Sequence, residues 1–379
     1  MLSHHEAKKK NKKGLLTAKL DISKAYNRIE WCLMEKMMRK LDFEERWIKM
    51  IMNCVTTVSY SLLVNGHQSE VFKPERGLRQ GDKLSPYLFL LCVEGLSSLA
   101  QKAVREGKIH GIKVSHRAPE ISHLLFADDN IFFTRATAQE CQQLRDILRI
   151  YEEESGQKVN LQKSELSFSP NMKREQREAL AAIMGMKQVE YHGKYLGLPT
   201  IIGREKKSVF TALVDRVRRK IKNGKNKTLS IAAKEVLLKV VAQSQVTYTM
   251  SVFMVPDGSL DEIRRAISSF WWGQQKEEKR IPWKAWKNMC KPKEEGGMGF
   301  KDIKLFNQAM VGKHLWNLMT KPDSLAARVL KAKYYPNGDV MNARLGHNPS
   351  YTWRSLLAIQ DLVKSGRRWR IGNGADVNI

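Results

Sequence analysis

The sequence predicts an α+β fold: a small antiparallel sheet backed by helices over residues 1–170, then a mainly helical, basic region. Three observations carry this. Leu15–Asp21 alternates, with Leu16, Ala18 and Leu20 on one strand face and Thr17, Lys19 and Asp21 on the other. His123–Phe126 and Ile131–Phe133 are short apolar runs on either side of Ala127-Asp128-Asp129, a β-hairpin with carboxylates at its tip. From Asn171 onward the apolar spacing turns helical, Lys and Arg dominate, and Pro199, Pro256, Pro282, Pro292, Pro322 and Pro336 punctuate the chain.

The remaining elements follow from local signals. After Asp21, Ile29, Leu33, Met37 and Leu41 recur at helical spacing, and a second amphipathic helix is expected from Glu44 to about Val55. Two strands, Ser59–Val64 and Gln68–Phe72, are joined at Asn65-Gly66, a pair suited to a tight hairpin turn. Gly77–Asp82 reads as a turn. Ser85-Pro86 puts proline in the first turn of a long helix reaching about Arg105. A helix from Thr137 to about Glu154 and a strand near Leu166 complete this half. Neither an internal repeat nor a low-complexity tract is evident.

Adjacent carboxylates at a strand end repel. At about 4 Å the cost is roughly 4 kcal/mol in an effective dielectric near 20. A divalent cation offsets it. Asp21, ending its own strand, adds a third hard oxygen ligand, and three such ligands suit two Mg²⁺ ions driving an in-line phosphoryl displacement. The alternative for these residues is a helix cap at Asp21 and a simple turn at Asp128-Asp129.

Charge points to the partner. Lys and Arg number 66 against 39 acidic residues, a net charge of +27, and such a field concentrates polyanions. From Arg204 to Lys239 there are 12 basic and 3 acidic residues. Within that stretch Val209, Leu213, Val217 and Ile221 form a helical stripe that leaves Arg216, Arg218, Arg219 and Lys220 for phosphate contact, or simply for solvent. Seven of the nine Trp lie beyond residue 270. Aromatics among basic residues can stack on bases, although core packing is the commoner fate.

Other classes are disfavoured. Five Cys without a CxxC spacing indicate neither a disulfide framework nor a zinc site, and fit an intracellular protein, nuclear or cytoplasmic and not secreted. Glu94 interrupts the apolar run Leu84–Leu99, so no membrane span is expected, and no Gly-Lys pair completes a Walker loop. The cluster Lys8, Lys9, Lys10, Lys12 and Lys13 reads as a nuclear import signal or as a solvated loop.

Four segments in order resemble the reverse transcriptase of plant non-LTR (LINE-type) retrotransposons. Lys19–Trp31 is similar to motif A, Gly77–Phe89 to motif B, Phe126–Asp129 to motif C and Ser155–Ser164 to motif D. Tyr195–Pro199, Phe270–Gly273, Gly296–Phe300 and Ser350–Trp353 resemble the thumb and post-thumb region of the same elements.

The resemblance implies a reverse-transcriptase-like palm over residues 1–170, a linker and basic thumb-like region over 171–270, and a Trp-rich post-thumb region over 271–379. It implies an RNA-directed DNA polymerase acting on an RNA template, a DNA primer and deoxynucleoside triphosphates, with two Mg²⁺ ions, Mn²⁺ substituting. Asp21 and Asp128 would be the principal metal ligands and Asp129 a more peripheral one. Tyr26 would be the gate that collides with a ribose 2′-hydroxyl. Gln80 and Gly81 would form the turn beside the nascent base pair, and Lys163, with Lys158 a weaker candidate, would protonate the pyrophosphate leaving group.

The sequence departs from the family at Asn27, usually Asp, and around Gly224 and Gln245, changes that suggest a decaying copy. Only 20 residues precede Asp21, too few for the fingers, and neither an endonuclease nor a ribonuclease H domain is expected, so the chain reads as a fragment of a larger polyprotein. A catalytically inactive, basic nucleic-acid-binding remnant is therefore the alternative function.

Overall fold

The computed structural model describes residues 14–200, 202, 206–221, 229–273 and 281–368. The lysine cluster Lys8–Lys13, the surroundings of Gly224 and part of the basic stretch, residues 222–228, lie outside the described residues. The described residues form two compact units, one of residues 14–114 and 119–200, the other of residues 115–118 and those from 202 onward.

The first unit is built on β1 (Leu15–Ser23). Its elements then run α1 (Trp31–Lys40), α2 (Glu45–Thr56), β2 (Leu63–Val64), β3 (His67–Gln68), α3 (Ser85–Arg105), β4 (His123–Phe126) and β5 (Asp129–Arg135). After these come α4 (Ala138–Ser155), β6 (Lys158–Val159), β7 (Glu165–Phe168), α5 (Arg174–Met184), β8 (Lys187–Gln188), β9 (Lys194–Tyr195) and β10 (Leu198–Pro199). The main sheet has the order β4-β5-β1-β7-β8, with β6 pairing the end of β1. β1 is antiparallel to β5, β6 and β7, while β8 joins β7 in parallel.

The alternation in β1 survives except at Thr17, which is buried as well. Leu16, Ala18 and Leu20 are fully buried against α3 and α4, where Leu88, Phe89, Cys92, Leu96, Leu144 and Tyr151 share one core. Among the described residues, α3 is the helix long and apolar enough to cross a membrane, and its buried side, including Leu88, Phe89, Cys92 and Leu96, belongs to this core. Thr137 caps α4, its hydroxyl accepting from the Glu140 N–H at 3.2 Å. Asn65 and Gly66 both take positive φ, 49° and 85°, as a two-residue hairpin turn requires. The paired strands there are shorter than the sequence suggested, because Tyr60 and Phe72 meet only as an isolated bridge.

The core face of β5 holds a cost. Thr134, opposite Leu16, is 0% exposed and its hydroxyl has no hydrogen-bond partner. An unpaired buried hydroxyl costs about 1–3 kcal/mol, so Thr134→Val is expected to raise the unfolding free energy by about 1 kcal/mol. Denaturant melts check this, and a lower midpoint in the variant would count against it.

The second unit is helical: α6 (Lys206–Ile221), α7 (Ile231–Val236), α8 (Ser244–Val252), α9 (Asp257–Trp271), α10 (Trp286–Met289), α11 (Ile303–Thr320), α12 (Leu325–Tyr334), α13 (Tyr351–Leu357) and α14 (Gln360–Gly366). A π-helical turn, Leu237–Ala242, joins α7 to α8. Phe210, Leu213, Val214, Val217 and Ile221 form the buried stripe of α6, and Leu260, Ile263 and Ile267 that of α9. Asn307 is fully buried yet satisfied: its amide donates to the Met250 and Phe253 carbonyls at 2.7 and 2.8 Å and accepts from the Val255 N–H at 2.8 Å.

Among the described residues, Trp353 and Trp286 are the buried tryptophans. Trp353, with no exposed surface, stacks on Tyr334 (4.6 Å, 2°) and Tyr335 (5.6 Å, 12°). Trp286 stacks on buried Phe300 at 5.0 Å. Trp283, by contrast, is 87% exposed. Gly297 tolerates no side chain, since a Cβ would lie 1.9 Å from the Lys291 carbonyl.

Candidate active site

Asp21 and Asp129 are direct partners in the β1–β5 ladder. Opposed residues of an antiparallel pair project to the same face, so both carboxylates leave the sheet on the side away from Leu16, Ala18 and Leu20. Both residues are half-buried. Asp128 is exposed in the two-residue turn between β4 and β5, closed by the pair Phe126↔Asp129. Ala127 in that turn has φ 52°, a left-handed conformation costly for any residue with a Cβ. The turn is tied to β1 by the Ile22 N–H, which donates to the Asp128 carbonyl at 3.3 Å.

The donor set is all hard carboxylate oxygen, which suits Mg²⁺. Asp21 and Asp129 share a face, and Asp128 is one residue beyond it in the turn. Among the described residues, however, no group of three or more His, Cys, Asp or Glu side chains is gathered as a metal-binding cluster. The backbone thus brings the three aspartates to one end of the sheet without the third side chain closing on the other two.

Hydrogen bonds draw the other sequence-predicted residues to this end. The Asp21 N–H donates to Ser164 Oγ at 3.1 Å, and the Asp21 carbonyl accepts from the Asn160 N–H at 2.8 Å. Lys163, exposed, rides on that same turn. Lys158 on β6 pairs with Ser23 and is exposed as well. Tyr26 lies in the turn after β1, its ring stacked on buried Phe89 of α3 at 4.6 Å and 14°. The turn carrying Gln80 is docked through main-chain bonds: Leu78 N–H to the Tyr26 carbonyl and Gly77 N–H to the Ile29 carbonyl, each 2.8 Å. Trp31 Nε1 donates to the Gly77 carbonyl at 2.8 Å, and a Cβ on Gly77 would lie 2.7 Å from the Asn27 carbonyl. Gly81 has φ 87° with open space around it, so backbone conformation rather than crowding calls for glycine there.

Sequence reasoning missed two residues here. Arg76 and Arg79 line a cleft together with Asn27, Tyr60 and Gln80. Arg76 pairs with Glu30 at 3.2 Å and Arg79 with Asp82 at 2.9 Å. The Leu84 N–H bonded to Asp82, followed by the Arg79 guanidinium, holds the Asp82 carboxyl below its usual range. Two arginines within four residues of Gln80 were the available signal. It went unread because each sits beside an acidic residue in sequence or one turn away.

The basic residues lie in the second unit. Arg216 and Arg219 of α6 are exposed, as is Lys220, while Arg218 pairs with Glu262 at 2.9 Å and Asp215 at 3.8 Å.

Residues 1–200 match the family model for reverse transcriptase (RNA-dependent DNA polymerase). The chain is 34% identical over 133 residues to an uncharacterized mitochondrial protein of Arabidopsis thaliana, covering 35% of this chain and 86% of that one. It is 30% identical over 116 residues to the retrovirus-related Pol polyprotein of a type-2 retrotransposable element of Drosophila melanogaster, covering 31% of this chain and 10% of the polyprotein. Among solved structures it is similar to telomerase from Candida tropicalis in complex with a fragment of telomeric RNA: 13% identity, TM-score 0.40, 86% of this chain and 51% of that one. The chain therefore spans about half of the telomerase chain and a tenth of the Pol polyprotein. With the family model covering more than half its length, the chain belongs to the reverse transcriptase (RNA-dependent DNA polymerase) family.

Proposed function

We propose that the first unit is the palm of an RNA-directed DNA polymerase that extends a DNA primer on an RNA template, and that the basic helices of the second unit are its thumb-like nucleic-acid contact, acting inside the cell. The observation that carries the reading is Asp21 directly opposite Asp129 beside the Asp128 turn, with the motif A, B and D turns hydrogen-bonded around it. Asp21 and Asp128 would hold two Mg²⁺ ions, Asp129 more peripherally. When bound, these supply charge stabilisation at the reacting phosphate and lower the pKa of the primer 3′-hydroxyl.

The chain's own residues do the rest. Tyr26, held by Phe89, lies flat beneath the incoming sugar and rejects a 2′-hydroxyl. Gln80 and Gly81 let the backbone approach the nascent base pair. Lys163 donates a proton to the departing pyrophosphate, with Lys158 the substitute. The test is primer extension by the purified chain on an RNA template with Mg²⁺ or Mn²⁺.

Tyr26→Ala should raise ribonucleotide use relative to deoxynucleotide use by about tenfold, because only sterics opposes the 2′-hydroxyl. Phe89→Ala, which keeps the gate but removes its stacking partner, should relax selection less. Competition between the two nucleotide types reads the ratio, and an unchanged ratio in Tyr26→Ala would remove Tyr26 from the gate.

The second reading, a non-catalytic nucleic-acid binder, draws on the ungathered third carboxylate. It predicts template binding without extension.

A further inference from the structure

We propose that His192, with Ser167 and Glu165, is a latch that holds the β9–β10 hairpin against the sheet end bearing Asp21 and Asp129, which makes His192 a positioning residue for that site. Ser167 stands on β7 opposite Thr17 of β1. Its hydroxyl lies 3.0 Å from His192 Nε2, and His192 Nδ1 lies 3.3 Å from Glu165 Oε2. A carboxylate only accepts, so Nδ1 carries the hydrogen and Nε2 accepts from Ser167. Burial pushes the His192 imidazole below its usual range, against the raising effect of Glu165, and this favours the neutral ring that the pattern needs.

A serine, a histidine and a carboxylate in series have the order of a nucleophilic triad. Here Ser167 has no exposed surface and His192 is 6% exposed, so no substrate reaches the hydroxyl and the array can only hold. What it holds is the segment that follows. Thr200 Oγ1 donates to the His192 carbonyl, and Lys19 Nζ on β1 donates to the Lys194 carbonyl at 3.0 Å. The Tyr195 hydroxyl donates to the Asp129 carbonyl at 3.4 Å. The hairpin turns through Leu196 and Gly197 at φ 48° and 73°, and its strands are two residues each. A hairpin that short is not stable alone, so its place depends on its anchors: Leu198 within it and His192 just before it are both 6% exposed, and His192 is the one hydrogen-bonded into β7. Loosening it frees Tyr195 from the backbone of Asp129.

The consequence for synthesis rests on the polymerase reading; the latch itself does not. The experiment is hydrogen exchange on the full chain in Ser167→Ala, His192→Phe and the milder Glu165→Gln, with primer extension alongside. The expected result is exchange about tenfold faster for amides between Lys194 and Thr200 in the first two variants, with β1 and β5 unchanged. Where the chain extends primers, kcat should fall with little change in KM for primer–template. Unchanged exchange in both variants, or acceleration shared evenly by β1 and β5, overturns the latch. Loss of extension in every form, wild type included, tells against the polymerase reading while exchange still decides the latch.

Discussion

Asp21→Asn should lower nucleotide incorporation by about 10³-fold, on the order of 4 kcal/mol of transition-state stabilisation, while leaving the fold in place. The fold is spared because the bonds that fix this position, to Ser164 and Asn160, use the main chain of Asp21, and Asn keeps the side-chain volume. The chemistry is lost because an amide is a poor, uncharged ligand for a hard cation. A second readout needs no activity. Like charges directly opposite in a ladder are destabilising by about 0.2–1 kcal/mol, so without divalent ions the variant should melt slightly higher than the wild type. Mg²⁺ should then raise the melting temperature of the wild type and leave that of Asp21→Asn nearly unmoved. Equal Mg²⁺ shifts in both proteins would mean that Asp21 holds no ion, whatever the extension assay shows.

How much of this site was legible depends on the range of the interactions that build it. The alternation Leu16, Ala18, Leu20 against Thr17, Lys19, Asp21 is written in period two and reappears as a buried face and one half-exposed at Lys19 and Asp21, with Thr17 buried too. The turn at Asp128 was legible because two apolar runs flank it, and Asn65-Gly66 because the pair demands positive φ. What periodicity cannot encode is which main-chain groups meet across long separations. That Leu78 bonds to Tyr26, or Asp21 to Ser164 across 143 residues, follows from the assembled sheet and helices. The segment 187–200 carried no readable strand signal, since runs of two residues have no period, and its place is set by the parallel pairing of Lys187 and Gln188 with β7 and by His192, Leu198 and Lys19. The exposed face of α3 shows the converse. Tyr87 and Leu90 are 69% and 60% exposed although the run Pro86–Val93 is apolar throughout, so apolarity alone did not name the buried side.

Replacing Arg216, Arg218, Arg219 and Lys220 together with Gln should flatten the salt dependence of nucleic-acid binding, with no change in the aspartate site. The buried stripe of α6 runs through Phe210, Leu213, Val217 and Ile221, so the four substitutions leave that helix's core packing untouched. Each charge that neutralises a phosphate adds about 0.9 to the slope of log K against log salt on duplex DNA, and about 0.7 on single strands. Arg218 is already paired with Glu262 and Asp215 and contributes less, so the quadruple variant should lose about 3 units of slope rather than 4. From 50 to 200 mM salt that amounts to about 60-fold less weakening than the wild type shows. Arg218→Gln alone should barely change the slope, because it removes a cation whose charge is largely spent within the protein. Asp128→Ala should keep the full wild-type slope, since losing an acidic residue from the other unit removes no phosphate contact. A quadruple variant that titrates with salt as steeply as the wild type would place the phosphate contacts on another surface of this +27 chain.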